Sequence, residues 1–130
     1  MSQALITAAQ TARQHAYAPY SHFAVGAAVL SADGRIFTGC NIENASYGLS
    51  MCAERNAVFA AVAAGVTSLA AVAVIGDTAK AISPCGACRQ VLSEFCAADT
   101  PVYLTNLHGD TVQTTVGALL PGAFLKGDLS

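Results

Sequence analysis

The chain has 130 residues, enough for one domain with a real core and too few for two comfortable ones. Hydrophobic residues make up 54% and charged residues 11%, against about 25% charged in an ordinary globular domain, so a lone subunit is short of the charge needed to cover its exterior. The net charge is −2 and the six Lys and Arg are scattered, which argues against a basic nucleic-acid-binding face and therefore against a polymeric substrate.

Residues 2–15 carry Leu5, Ile6, Ala9 and Ala12 at roughly helical spacing and read as an amphipathic helix, broken by Ala18-Pro19-Tyr20-Ser21. Residues 23–30 read as a strand, Ala32-Asp33-Gly34 as a turn and 35–39 as the hairpin partner. A loop rich in Asn, Ser and Gly spans 41–51, and a helix starts at Cys52. No charge occurs from 56 to 76, a stretch of 21 residues and long enough to raise the question of a membrane span. Gly65 supplies a helix stop and 69–75 is valine-rich like a buried strand, so the stretch reads as one helix followed by one strand. A loop through Ser83-Pro84 leads to a second helix at 86–96, a strand at 101–105, a weaker strand at 111–114 and a short helix before Pro121. No repeat or linker interrupts this order, so 1–130 is expected to form a single domain. Helices interspersed with strands imply an α/β sandwich on a mixed sheet.

The five cysteines lie at 40, 52, 85, 88 and 96. An odd count, a Cys-x-x-Cys pair and no N-terminal signal sequence point to a reducing compartment and to metal or catalytic use. Cys40 and Cys96 read as buried thiols packing like small hydrophobes. The other three fall in Cys52-Ala53-Glu54-Arg55 and Ser83-Pro84-Cys85-Gly86-Ala87-Cys88, 33 positions apart. A helix over 52–64 rises about 20 Å. The strand after it returns about 23 Å, so Cys85 comes back to the end that Cys52 left. Cys85 and Cys88 share one side of a helical first turn, and helix starts favour the thiolate that zinc requires. Three ligands leave the fourth tetrahedral position open, the mark of a catalytic rather than a structural site. His15, His22 and His108 stand apart from this set.

Glu54 lies two residues beyond a ligand, poorly placed to bind the metal but able to approach a water on it. Zinc brings the pKa of such a water to about 7, and a neighbouring carboxylate can take and pass on its proton. Three thiolates and Zn²⁺ sum to −1, which Arg55 beside Cys52 is placed to offset.

At these residues the chain resembles the cytidine deaminase family, in its short, homotetrameric, zinc-dependent branch. The likeness runs through Ala16-Tyr17-Ala18-Pro19-Tyr20-Ser21, Gly39-Cys40-Asn41-Ile42-Glu43-Asn44, both metal segments and Leu119-Leu120-Pro121-Gly122-Ala123-Phe124. The resemblance implies a three-layer α/β/α sandwich with a mixed sheet of about five strands. It implies one Zn²⁺ per chain on Cys52, Cys85 and Cys88, with Glu54 shuttling protons while zinc-activated water attacks C4 of free cytidine or deoxycytidine, yielding uridine or deoxyuridine in pyrimidine salvage. Phe23 corresponds to a base-stacking aromatic, Asn41 and Glu43 to partners of the ribose hydroxyls, and Ala53 to a further substrate contact. Tyr47 and Phe124 correspond to residues that build a neighbouring subunit's pocket. A cytoplasmic homotetramer with shared sites is implied, with no nucleic-acid or membrane partner and no organic cofactor. The rival readings are a deaminase of a cytosine-containing antibiotic of the blasticidin S type and a structural zinc module. Asn41 and Glu43 speak against the first, and Glu54 against the second. Asn56 stands where the family leads one to expect threonine, and Gly117 interrupts a helix usually free of glycine.

Overall fold

Alternation along two strands decides which side of the sheet each helix covers. In β1 (Val25–Ser31) the side chains of Val25, Ala27 and Val29 point one way and Ala28 the other. In β3 (Leu69–Gly76) Val72 and Val74 share the first side while Ala71, Ala73 and Ile75 take the second. The first side packs on Ala53, Ala57, Val58 and Ala61 of α2 (Ala53–Ala63) and Leu92 of α3 (Gly86–Phe95); the second packs on Leu5 and Ala9 of α1 (Ser2–Arg13). Helix layers on both faces of one sheet make a three-layer sandwich.

The computed structural model describes residues 2–129. The remaining elements are β2 (Ile36–Cys40), β4 (Pro101–Asn106), β5 (Thr111–Thr115) and the one-turn helix α4 (Val116–Leu119). The five strands run in the order β2-β1-β3-β4-β5, with β3 and β4 parallel and every other neighbouring pair antiparallel. The sheet is therefore mixed, as expected. Element ends differ from the sequence reading by a residue or two. The first helix stops at Arg13, whose Nε donates to the Ala24 carbonyl at 2.9 Å and so turns the chain toward β1. Two 3₁₀ turns, Tyr47–Leu49 and Lys126–Leu129, carried no sequence signal.

The charge-free stretch is most of α2 followed by a turn and β3, which is covered on both faces and so needs no polar side. Among the described residues, no helix is long and apolar enough to cross a membrane. Close approach of helix to sheet depends on two glycines. A Cβ on Gly26 would lie 2.0 Å from the Ala9 carbonyl oxygen of α1, and one on Gly39 would lie 2.4 Å from the Ala57 nitrogen and 2.6 Å from the Ala53 carbonyl oxygen of α2. The chain runs out along α2, turns at Gly65 (φ 88°) and returns along β3, so α2 and α3 begin at the same end of the sheet.

Candidate active site

Cys52 and Cys85 each occupy the residue before a helix, Cys52 at α2 and Cys85 at α3, both in extended backbone conformation. A side chain at such a position ordinarily accepts a hydrogen bond from its own helix. Neither cysteine does so. The two sulfurs instead approach each other at 3.9 Å, and Cys88, buried in the first turn of α3, lies 3.5 Å from Cys85. All three Sγ atoms fall within 4.8 Å of one another, the one such group among the described residues. Tetrahedral zinc with Zn–S bonds of about 2.3 Å holds its sulfurs about 3.8 Å apart, so the set fits the ion in spacing and in donor chemistry.

One of the three thiols, Cys52, is already polarised toward that use. Cys52 is pushed down to about 5, first by the hydrogen bond from the Cys88 thiol and then by Arg55, whose Nη2 lies 3.4 Å from its sulfur. Cys88 moves the other way, because its proton stays in the bond to Cys52 and because the residue is buried. Arg55 thus stands with its guanidinium against the Cys52 sulfur. Its Nε is buried with no hydrogen-bond partner among the described residues.

Glu54 is 5% exposed. Burial raises its carboxyl above the ordinary range, and the negative charge on Cys52 adds to the effect. A carboxyl so placed holds a proton more readily than one in water, which suits it to carrying protons at neutral pH.

Beside the sulfurs opens a cleft of about 200 Å³, lined by Phe23, Val25, Asn41, Ala53, Glu54, Ile82 and Ser83. A Cβ on Gly76 would come within 2.8 Å of Ile82 Cδ1, so the absence of a side chain there leaves Ile82 its room at the cleft wall, with the tip of the Phe23 ring at 3.5 Å. Asn41 uses its carboxamide as a brace: Nδ2 donates to the Phe23 carbonyl at 2.7 Å, and Oδ1 accepts from the Val25 amide at 2.8 Å. One donor and one lone pair remain for a ligand.

Glu43 does not line this cleft. It is half-buried and faces a second hollow of about 310 Å³ with Tyr20, Ser21, Tyr47 and Ser50. Its carboxylate accepts from the Tyr20 amide at 3.0 Å, the Ser21 amide at 3.1 Å and the Ser21 hydroxyl, and the Ser21 hydroxyl bond is the main cause of its lowered pKa. Tyr47 is 76% exposed and meets Tyr20 edge-on at 6.1 Å. Phe124 is 59% exposed and lines neither hollow; its carbonyl accepts from Gln90 Nε2 at 2.8 Å. Within one chain, then, Phe23, Asn41, Ala53, Glu54 and the cysteines come together, while Glu43, Tyr47 and Phe124 stand outside that group. Val25, Ile82 and Ser83 were missed in sequence, although Ser83 sits two residues before a ligand and Val25 is one strand alternation from Phe23.

The sequence profile of the "Cytidine and deoxycytidylate deaminase zinc-binding region" matches residues 1–104. A cytidine deaminase of Sporosarcina psychrophila is 60% identical over 126 residues, covering 97% of this chain and 93% of that protein. One from Halalkalibacterium halodurans is 56% identical over 128 residues, covering 98% and 97%. The crystal structure of cytidine deaminase from Burkholderia pseudomallei matches with a TM-score of 0.93 at 56% identity, over 95% of this chain and 99% of that one.

Proposed function

The chain belongs to the family of cytidine and deoxycytidylate deaminases, and from that premise we propose that it hydrolyses the exocyclic amine of free cytidine and deoxycytidine, releasing ammonia and leaving uridine or deoxyuridine. The observation that carries the reading is the convergence of three cysteine sulfurs on a cleft whose wall also holds the buried Glu54. Cys52, Cys85 and Cys88 would hold the zinc. When bound, the ion supplies a positive charge and acidifies a coordinated water to a pKa of about 7.

The remaining work falls to the chain's own side chains. Glu54 takes a proton from the attacking water and delivers it to N3 of the pyrimidine. It then takes the remaining proton of that water, now on the C4 hydroxyl, and passes it to the exocyclic nitrogen, which leaves as ammonia while C4 keeps the oxygen as a carbonyl. Phe23 lines the cleft and offers a face for the base, while Ala53 closes the wall between Cys52 and Glu54. Asn41 and Glu43 recognise the sugar hydroxyls, each already held in place by its backbone bonds. Arg55 offsets the charge of the thiolates. Loss of the 4-amino chromophore, followed in the ultraviolet with purified protein on cytidine, deoxycytidine, cytosine and blasticidin S, tests the reading. Turnover of the two nucleosides alone is expected, and Glu43→Ala is expected to lower kcat/KM for cytidine several-fold with the fold intact. Preference for blasticidin S, or an unchanged kcat/KM in that variant, would move the assignment to the antibiotic.

The working unit in this proposal is a cytoplasmic homotetramer of single-domain chains with pockets shared between neighbours. The scarcity of charge supports it, as do the exposed Tyr47, Leu49, Phe59, Val62, Phe124 and Leu125, since permanent interfaces are more apolar than ordinary exterior. The five unpaired cysteines suit a reducing compartment. A mixing experiment checks the sharing of sites. Inactive Glu54→Gln chains are combined with Phe124→Ala chains and allowed to exchange subunits. Activity above both parents is expected, because some pockets then pair an intact Glu54 with an intact Phe124 from next door. An active monomer in light scattering ends the idea.

A further inference from the structure

Residues 77–85, which lead from β3 to α3, form no regular element, yet the last of them presents its sulfur to the group of three. Something other than sheet or helix has to hold that turn. Directly after Cys88, on the same first turn of α3, Arg89 spreads its guanidinium over it. Nε donates to the Pro84 carbonyl, Nη2 to the Ser83 hydroxyl and Nη1 to the Leu119 carbonyl at the end of α4, each at 2.8 Å. Three separate nitrogens serve three separate acceptors. Two of those acceptors belong to the residues immediately before a metal ligand, and the third belongs to a distant segment.

We propose that Arg89 is a positioning residue for the metal centre, fixing the Ser83–Pro84 turn that presents Cys85 and joining that turn to the C-terminal segment. The inference rests on zinc being held by Cys52, Cys85 and Cys88. A planar fork does this work because its donors diverge at set angles from three nitrogens, whereas a lysine offers its three protons from a single nitrogen and cannot match acceptors spread around a guanidinium plane. Freed of the fork, the exposed Ser83 loses the partner of its hydroxyl and Pro84 is left to its own burial, and Cys85, exposed at the edge of the cluster, is the ligand that then wanders. Gln90, next along, binds the Phe124 carbonyl, so this helical turn also anchors the tail beyond α4.

The test measures the metal rather than the turnover. Zinc release from the purified wild-type protein and from Arg89→Ala is followed with a chromogenic chelator, and the cobalt-substituted proteins are compared in the visible and near-ultraviolet. Loss of groups that orient metal ligands typically weakens binding about 10- to 100-fold, and Arg89→Ala is expected to lose zinc faster on that scale with altered thiolate-to-cobalt bands. Arg89→Lys, which keeps the charge and the aliphatic stem, is expected not to restore either, and it carries the test alone if Arg89→Ala does not fold. Leu5→Ala, buried against the far face of the sheet, serves as a variant destabilised elsewhere; it is expected to release zinc at the wild-type rate below its melting temperature. Folded Arg89 variants with the release rate and cobalt spectrum of the wild type overturn the proposal. So does rescue by lysine. A wild-type protein that binds no zinc overturns instead the metal reading on which it stands.

Discussion

Glu54→Gln is expected to leave a folded, zinc-loaded protein that has lost nearly all turnover. The amide has the shape of the carboxyl it replaces, and the site it enters is buried and disfavours charge, so the fold loses little by the exchange. What disappears is the group that takes a proton from water and gives it to the pyrimidine. General acid–base catalysis of this kind contributes about 10²- to 10⁴-fold, and here one carboxyl serves both transfers. Circular dichroism and zinc content should match the wild type while kcat falls by that range or more. Activity within a few-fold of the wild type would falsify the role given to Glu54.

Cys85→Ala is expected to fail earlier, at the metal. The free energy of a four-ligand structural zinc site is about 10–16 kcal/mol, which shared among its ligands gives on the order of 3 kcal/mol for each thiolate, or about 10²-fold in affinity. Elemental analysis after gel filtration should find stoichiometric zinc in the wild type and little in the variant, with deamination lost in parallel. The fold should survive better than the site, because Cys85 is exposed and lies outside both buried clusters. A variant holding its full zinc would remove Cys85 from the ligand set.

The parts legible in sequence are those set by period and length. Alternation in Val25, Ala27 and Val29, and again in Val72 and Val74, sorts the side chains between two helix layers without any knowledge of contacts. The lengths of α2 and β3 bring Cys52 and Cys85 to one end of the sheet. What escaped the reading are side chains that bond backbone far along the chain. Asn41 reaches Phe23 and Val25, Glu43 reaches Tyr20 and Ser21, and Arg89 reaches Leu119, 30 residues on. No local pattern encodes such a bond, since it exists only after the strands have paired. The two departures from the family pattern gain an account in the same way. Asn56 donates to the Cys40 carbonyl at 2.8 Å, tying the end of β2 to α2. Gly117 lets α4 sit against Ala98, where a Cβ would come within 3.0 Å of both its side chain and its carbonyl oxygen.

The clearance at Gly39 has a consequence for attempts to breed the protein toward altered bases or sugars. Adding even one methyl there would collide with the backbone of Ala53 and Ala57 and force the opening turn of α2 to shift, and that turn sets where Cys52 and Glu54 stand. A randomised library would thus find position 39 closed although it never meets the nucleoside. Gly26, pressed on α1 across the opposite face, should be equally intolerant for a reason unconnected with catalysis. Improved variants should instead collect at Ile82, which borders the cleft from a loop outside the sheet and takes no part in holding the turn before Cys85.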